Sequence, residues 1–398
     1  MKSNLLIIFA FLFLLFSSCT QSQKEEYVIQ EVAELDTQLD GISAPFGGTH
    51  GDYIIVAGGC NFPGVAVADG GKKKFYSGIY IIHKDSLIIK KNWTKIGELT
   101  EPLAYGTSIT IPDGLLCIGG MNEKRSTSDV FLLQYDPEKS KISQIPYPSL
   151  PLPTDNSSGT LINNHIYLSG GNSNGRQSNQ FIELNLEDTT TGWKNAGTLP
   201  ENLPRVQPVL LSLLNHSYSK LLLTGGYGIT TNNITVHTDC WEFDIANKSW
   251  QECSAPLYKG QAVTFTGATG TIINDTSLII TGGVNTNIFH YGLKIAMELS
   301  EAKAQNNING IDSLSKLNRE YLTKSPEYYQ FNQKCWLYNS IQDKWQILFE
   351  DSRIALAGAV MVSLNDKALI INGEIKPGIR TKKNYLIYFN HLNTHQDH

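Results

Sequence analysis

Short apolar runs recur along the chain, each ending in two glycines: Ile54 to Gly59, Leu115 to Gly120, Ile166 to Gly171, Leu221 to Gly226 and Leu278 to Gly283. A sixth, Ala368 to Gly373, carries Asn372 where the first glycine would stand. A continuous apolar run closed by turn residues reads as a strand buried on both faces. A polar loop follows each pair, and then a strand in which apolar and polar residues alternate, as in Val130 to Tyr135, Phe181 to Leu186, Cys240 to Asp244, Cys335 to Tyr338 and Tyr385 to Phe389. Four units add a tryptophan downstream, at Trp93, Trp193, Trp250 and Trp345. The unit is about fifty residues long. The last interval is longer because it holds an insertion between Asn287 and Phe331, where Leu293, Ala296, Met297, Leu299 and Ala302 fall at helical spacing and Asn307 to Gly310 breaks the pattern before a second amphipathic stretch. This predicts a helical hairpin.

Short strands, paired glycines and a following tryptophan at this period resemble the kelch repeat. The resemblance implies an all-β chain, a six-bladed kelch-type β-propeller with a helical insertion (about 288–330) in the fifth repeat. The sixth unit stops near Phe389 without a tryptophan strand, while residues 27–35 form a strand with no unit of their own. That strand is expected to complete the last blade and join the chain ends, making residues 27–398 one propeller.

Composition narrows the function. The 398 residues include 34 glycines, 18 tyrosines and 15 phenylalanines against 4 methionines, which suits strands and tight turns. With 32 Lys plus Arg against 37 Asp plus Glu, the chain carries no net positive field for nucleic acid. At the N-terminus, an apolar stretch from Leu5 to Phe16 precedes Ser17-Ser18-Cys19. The stretch is too short to span a bilayer. Residues 1–18 read as a lipoprotein signal peptide, with lipid expected on Cys19 and residues 19–26 as a polar tether; an ordinary secretory signal is the alternative. The remaining five cysteines show no C-x-x-C spacing. Cys240 and Cys253 would face each other across a hairpin, where two free thiols are favoured and an oxidising compartment would permit a bridge.

In such a blade, the loop after the glycine pair and the loop entering the first strand share one face. The polar residues after the pairs are Asn61, Glu123, Arg125, Asn172, Arg176, Asn285, Asn287, His290, Glu374, Lys376 and Arg380; Tyr105, Arg205, Tyr258 and Arg353 precede first strands. Of these, Lys376, Asn61, Arg125, Arg176, Asn285, Asn287 and Arg353 are the candidate substrate-binding residues. His165 and His216 fall on the opposite face as turn residues. A copper site needs two or more histidines beside tyrosines, and this face offers only His290 with His50 or His237, so no metal site is expected. No Gly-x-Ser-x-Gly, Walker or dinucleotide fingerprint occurs. The densest cluster is Gly373-Glu-Ile-Lys-Pro-Gly-Ile-Arg-Thr381, where Pro377 stiffens and Gly378 turns a loop carrying a carboxylate and an arginine. Read from spacing alone, it is either a site or a solvated charged loop.

This loop is similar to that of the N-acetylneuraminate epimerases, or sialic acid mutarotases. So are Thr281 to Phe289 with the insertion after it, Tyr328 to Asn332, and Ala57 to Gly64 followed by Gly70 to Phe75, which looks like the family's lysine-bearing loop. One departure is order: the unit resembling residues 54–80 comes last in the founding members and first here, as in a cyclically permuted branch. The resemblance implies a cofactor-independent isomerase acting on sialic acid, with Glu374 as proton acceptor and Arg380 also required. The N-terminal signal together with that chemistry leads to the expectation of a Gram-negative envelope protein, periplasmic or surface-exposed, touching membrane only through its anchor. A mutarotase for another sugar, and a non-catalytic sugar- or protein-binding propeller, are the competing expectations.

Overall fold

The computed structural model describes residues 27–36, 39–89, 93–215, 218–230 and 233–389. The expected signal peptide, the tether with Cys19, and His216 lie outside the described residues.

The chain is predominantly β and consistent with a propeller. Among the described residues it forms six antiparallel sheets on the same four-strand path. The first comprises Phe46–His50, Tyr53–Ala57, Gly78–His83 and Thr94–Glu98; the fifth comprises Ala268–Asn274, Ser277–Gly282, Lys334–Asn339 and Lys344–Glu350. The glycine-ending runs are the second strands. Gly114–Ile118 is buried at every position because both of its faces meet neighbouring sheets. The first glycine of each pair is demanded by geometry. Gly58 has φ 71°, and a Cβ there would lie 2.2 Å from the Leu103 carbonyl oxygen. Asn372 takes the same left-handed turn (φ 50°), and its side-chain amide donates to Asn384 Oδ1 at 2.7 Å.

The sixth sheet joins the chain ends as expected. Val28–Val32 pairs antiparallel with Asn384–Tyr388, from Val28 opposite Tyr388 to Val32 opposite Asn384. Trp93 Nε1 of the first sheet and Asn384 Nδ2 of the last both donate to the Ala33 carbonyl, at 3.1 and 2.6 Å. Ile54 and Val56 share one apolar core with Leu369, Leu386 and Val32, so the first and last sheets pack together.

Six residues at the starts of the first strands form a closed circuit of main-chain hydrogen bonds. Tyr105 N–H donates to Ala44, Asn156 to Tyr105, Gln207 to Asn156, Gly267 to Gln207, Gly358 to Gly267, and Ala44 to Gly358, at 2.7 to 3.1 Å. All six have positive φ, from 51° at Ala44 to 69° at Gly267. For the four that are not glycine this conformation costs about 1 kcal/mol each, and the hydrogen bonds hold them there.

The excursion lies between the second and third strands of the fifth sheet: α1 (Thr286–Ala304), α2 (Ile308–Leu322) and α3 (Pro326–Tyr329). Asn285 caps α1 through Asn287 N–H and Ile288 N–H, and Asn307 caps α2 through Gly310 N–H. The hairpin closes on Ile295, Tyr321 and Tyr329. Arg319 on α2 reaches Asp69 at 2.5 Å, tying the insertion to the loop that follows the first glycine pair. Cys240 and Cys253 are register partners, and both are free; Cys253 is partly exposed.

Candidate active site

The Gly373–Thr381 segment folds into a hairpin, Glu374–Lys376 against Ile379–Arg380, in which Glu374 and Arg380 are opposite each other. Gly378 turns it at φ 84° and donates its N–H to Glu374 Oε1 at 2.5 Å. Glu374 lines a cavity of about 250 Å³ together with Ser43, Tyr105, Gln207, Tyr227, Asn285 and Tyr321. Burial pushes the Glu374 carboxyl above its ordinary pKa, and Arg380, the Gly378 N–H and Lys73 counter this only in part.

Arg380 is 7% exposed, and its Nε donates to Ser43 Oγ at 3.1 Å. The guanidinium lies over the Phe62 ring, 4.9 Å from its centroid. Its Nη1 is 3.6 Å from Glu374 Oε1 and has no hydrogen-bond partner among the described residues. A buried N–H without an acceptor is costly, and an incoming anion would satisfy it.

Two residues outside the assigned set stand beside this pair. Lys73 Nζ donates to the Tyr105 hydroxyl at 2.8 Å. Burial lowers the Lys73 ammonium below its ordinary pKa, and burial raises the Tyr105 phenol well above its own. Lys73 sits in the stretch that resembles the family's lysine-bearing loop, and Tyr105 precedes a first strand, but neither carries a signal in the sequence that singles it out.

The other candidates occupy different places. Asn285 lines the cavity while capping α1. Asn287 is exposed in the first turn of that helix. Asn61 is buried, and its side chain is satisfied by backbone: Nδ2 donates to Gly41 and Asp40, and Oδ1 accepts from Phe62 N–H. Lys376 points to the end of the helical insertion, donating to the Lys324 and Leu322 carbonyls at 2.6 and 3.5 Å. Arg125 is exposed and paired with Glu101 at 3.0 Å, and Arg176 is exposed in the Asn172–Gln177 hairpin. Arg353 forms a fork with Asp351 and donates to Ile29 O at 2.9 Å, which pins the closing strand and not the cavity. Arg205, fully buried, is held by Asp239 and Gly225. The histidines are scattered: His50 accepts the Tyr135 N–H, His237 is buried beside Asp239 with its pKa lowered to about 4 chiefly by burial, and His290 is exposed on α1.

Ile288, Phe289 and Leu293 of α1 with Tyr329 and Phe331 make the far wall of the cavity apolar. A second cavity of about 220 Å³ runs along the first strands, past Ser108, Gly159, Leu211 and Thr269, and shares Tyr105, Gln207 and Gly358 with the first. Tyr105 is its sole titratable lining residue, so the acid–base groups gather in the cavity above it.

The sequence profile of the N-acetylneuraminate epimerase family matches residues 18–142 and 147–396. The N-acetylneuraminate epimerase of Salmonella typhimurium (strain LT2) is 28% identical over 237 residues, 59% of this chain and 56% of that protein. That of Yersinia pestis (strain Pestoides F) is 26% identical over 239 residues, 59% of this chain and 55% of that protein. The chain thus spans little more than half the length of the curated relatives it matches. Among solved structures, one titled "Structure of YjhT" superposes with a TM-score of 0.57 at 18% identity, covering 89% of this chain and 96% of the other, and so shares the fold. With its profile matched over nearly the whole sequence, the chain belongs to the N-acetylneuraminate epimerase family.

Proposed function

We propose that the protein is an isomerase that interconverts the α and β anomers of N-acetylneuraminate by acid–base ring opening, in one six-bladed propeller formed by residues 27–398. The observation that carries this reading is the buried Arg380 N–H, which has no acceptor among the described residues and stands 3.6 Å from a carboxyl group whose pKa is raised. Arg380 grips the sugar carboxylate, and Glu374 takes the proton of the anomeric hydroxyl. The ring opens, the free ketone turns and the ring recloses on its other face. Proton transfer through a positioned group of this kind contributes about 10²- to 10⁴-fold. The apolar wall supplied by α1 suits the methyl of the acetamido group. The reaction draws on neither redox nor metal chemistry.

The order of the units is read as a circular permutation, which such a ring tolerates because its first and last sheets are neighbours. Lipid on Cys19 would hold the ring in a Gram-negative cell envelope, where bound sialic acid is released as one anomer. The test is anomer exchange of N-acetylneuraminate followed by NMR, with and without the protein, beside neutral hexoses. Acceleration confined to hexoses would give the site to another sugar, and none with any sugar would leave a binding propeller.

A further inference from the structure

The mutarotase reading names a base and an anion anchor but no group to protonate the ring oxygen as the ring opens. Tyr105, in the bend just before the strand Thr107–Ile111, lines the same cavity as Glu374. Its main chain is clamped on both sides in the hydrogen-bonded circuit, N–H to Ala44 and carbonyl to Asn156, so the side chain springs from a fixed point. The phenolic oxygen accepts from Lys73 Nζ at 2.8 Å and from Cys60 Sγ at 3.3 Å. With Lys73 donating to it, the phenol keeps its own hydrogen, which it can give to a group in the cavity.

We propose that Tyr105, backed by Lys73, donates the proton to the ring oxygen of the sugar acid; this rests on the mutarotase reading and deepens it. The step balances. Glu374 removes the anomeric hydroxyl proton, and the freed electron pair becomes the second bond of the ketone. The bond from the anomeric carbon to the ring oxygen breaks toward oxygen, which takes the Tyr105 proton. Reclosure reverses each transfer. The hydroxyl returns its proton to Tyr105 as its oxygen attacks the other carbonyl face, and Glu374 returns its own to the carbonyl oxygen. A buried phenol alone would be too weak an acid for this. The Lys73 ammonium beside it stabilises the phenolate as it forms and can pass on a proton in turn. The charged or titratable groups acting on Tyr105 are Lys73, Cys60, Glu374 and Arg380, with Asp155 acting on Lys73.

The test compares full-length wild type with Tyr105→Phe, Lys73→Met and Lys73→Arg, by NMR exchange of N-acetylneuraminate anomers between about pH 5 and pH 10. Tyr105→Phe should lose about 10²-fold in kcat with KM within about twofold. The wild-type kcat/KM should fall at alkaline pH as the Lys73–Tyr105 pair loses its proton, and in Tyr105→Phe this limb should vanish while the acid limb stays. Lys73→Met should show the same loss, and Lys73→Arg should recover at least about tenfold of it. A Tyr105→Phe protein within about threefold of wild-type kcat, or one that keeps the alkaline limb, overturns the assignment and leaves the mutarotase reading standing. A wild type that accelerates no sugar-acid exchange overturns both. Should Tyr105→Phe fail to fold, the two Lys73 variants decide the matter through the same limb.

Discussion

Arg380 Nη1 stands 3.6 Å from Glu374 Oε1, outside hydrogen-bond reach, while Arg380 Nε is held by Ser43 and the Gly378 N–H is given to Glu374. The two charges feel each other without closing on each other. The carboxylate can act as a base, and the guanidinium keeps an N–H that no described residue accepts, open to an anion.

Glu374→Gln should therefore lower kcat for anomer exchange by about 10²- to 10⁴-fold, measured by NMR. It should also raise the thermal midpoint at neutral pH. A carboxyl whose pKa is higher folded than unfolded opposes folding once ionised, above the folded pKa, and does not below the unfolded one. The gain should thus shrink as pH falls toward 4.

Arg380 lowers the Glu374 pKa against the larger effect of burial. Replacing it with Met should raise KM for the sugar acid by at least about tenfold, and should also move the acid limb of the rate profile to higher pH. Arg380→Lys, which keeps the charge but not the fork, should leave the limb nearly in place while KM still rises.

Arg353 ties Asp351 to the Ile29 carbonyl and stands clear of the cavity. Arg353→Met should cost about 1 kcal/mol of stability, read by denaturant unfolding, and leave KM unchanged. Deleting residues 27–35 should do far more, since it exposes the edge of the last sheet and removes the acceptor of the Trp93 indole N–H. Light scattering would report the resulting association.

Lys376 anchors the carbonyls at the end of α2. In Lys376→Met, amide hydrogen exchange should quicken over residues 318–325. KM should rise several-fold with kcat nearly unchanged, because the apolar wall loosens while Glu374 stays in its hairpin.

Cys19→Ala should abolish metabolic labelling with palmitate and move the protein from the membrane fraction to the soluble envelope or secreted fraction. Native protein recovered from the cytosol with residues 1–18 intact would contradict the anchor.

Much of the fold was legible because the backbone itself demands particular residues. Only glycine fits at Gly58, asparagine is the ordinary substitute seen at Asn372, and the unassigned strand at residues 27–35 had one edge to fill. The closeness of Glu374 and Arg380 was legible because one tight hairpin carries both. Face sorting told which end of a sheet a loop occupies but not where its side chain is engaged. Asn61, Lys376 and Arg353 are drawn to backbone carbonyls nearby, a competition that spacing does not show. Lys73, Ser43 and Tyr105 come together from separate parts of the chain, and only the closed circuit brings them into reach.

That circuit repeats in main chain but not in side chain. Going round, Tyr105, Asn156 and Gln207 are bulky and polar, whereas Gly267, Gly358 and Ala44 bear at most a methyl. Six equivalent positions would let a one-sided molecule bind in six equivalent orientations. Division of the annulus into a furnished half and a bare half breaks this pseudosymmetry. The bare half leaves open the floor beside the Glu374 hairpin, while the furnished half supplies hydrogen-bonding groups across from it. The one-sidedness of the site thus rests on which of the six positions carry no side chain as much as on which carry a functional one.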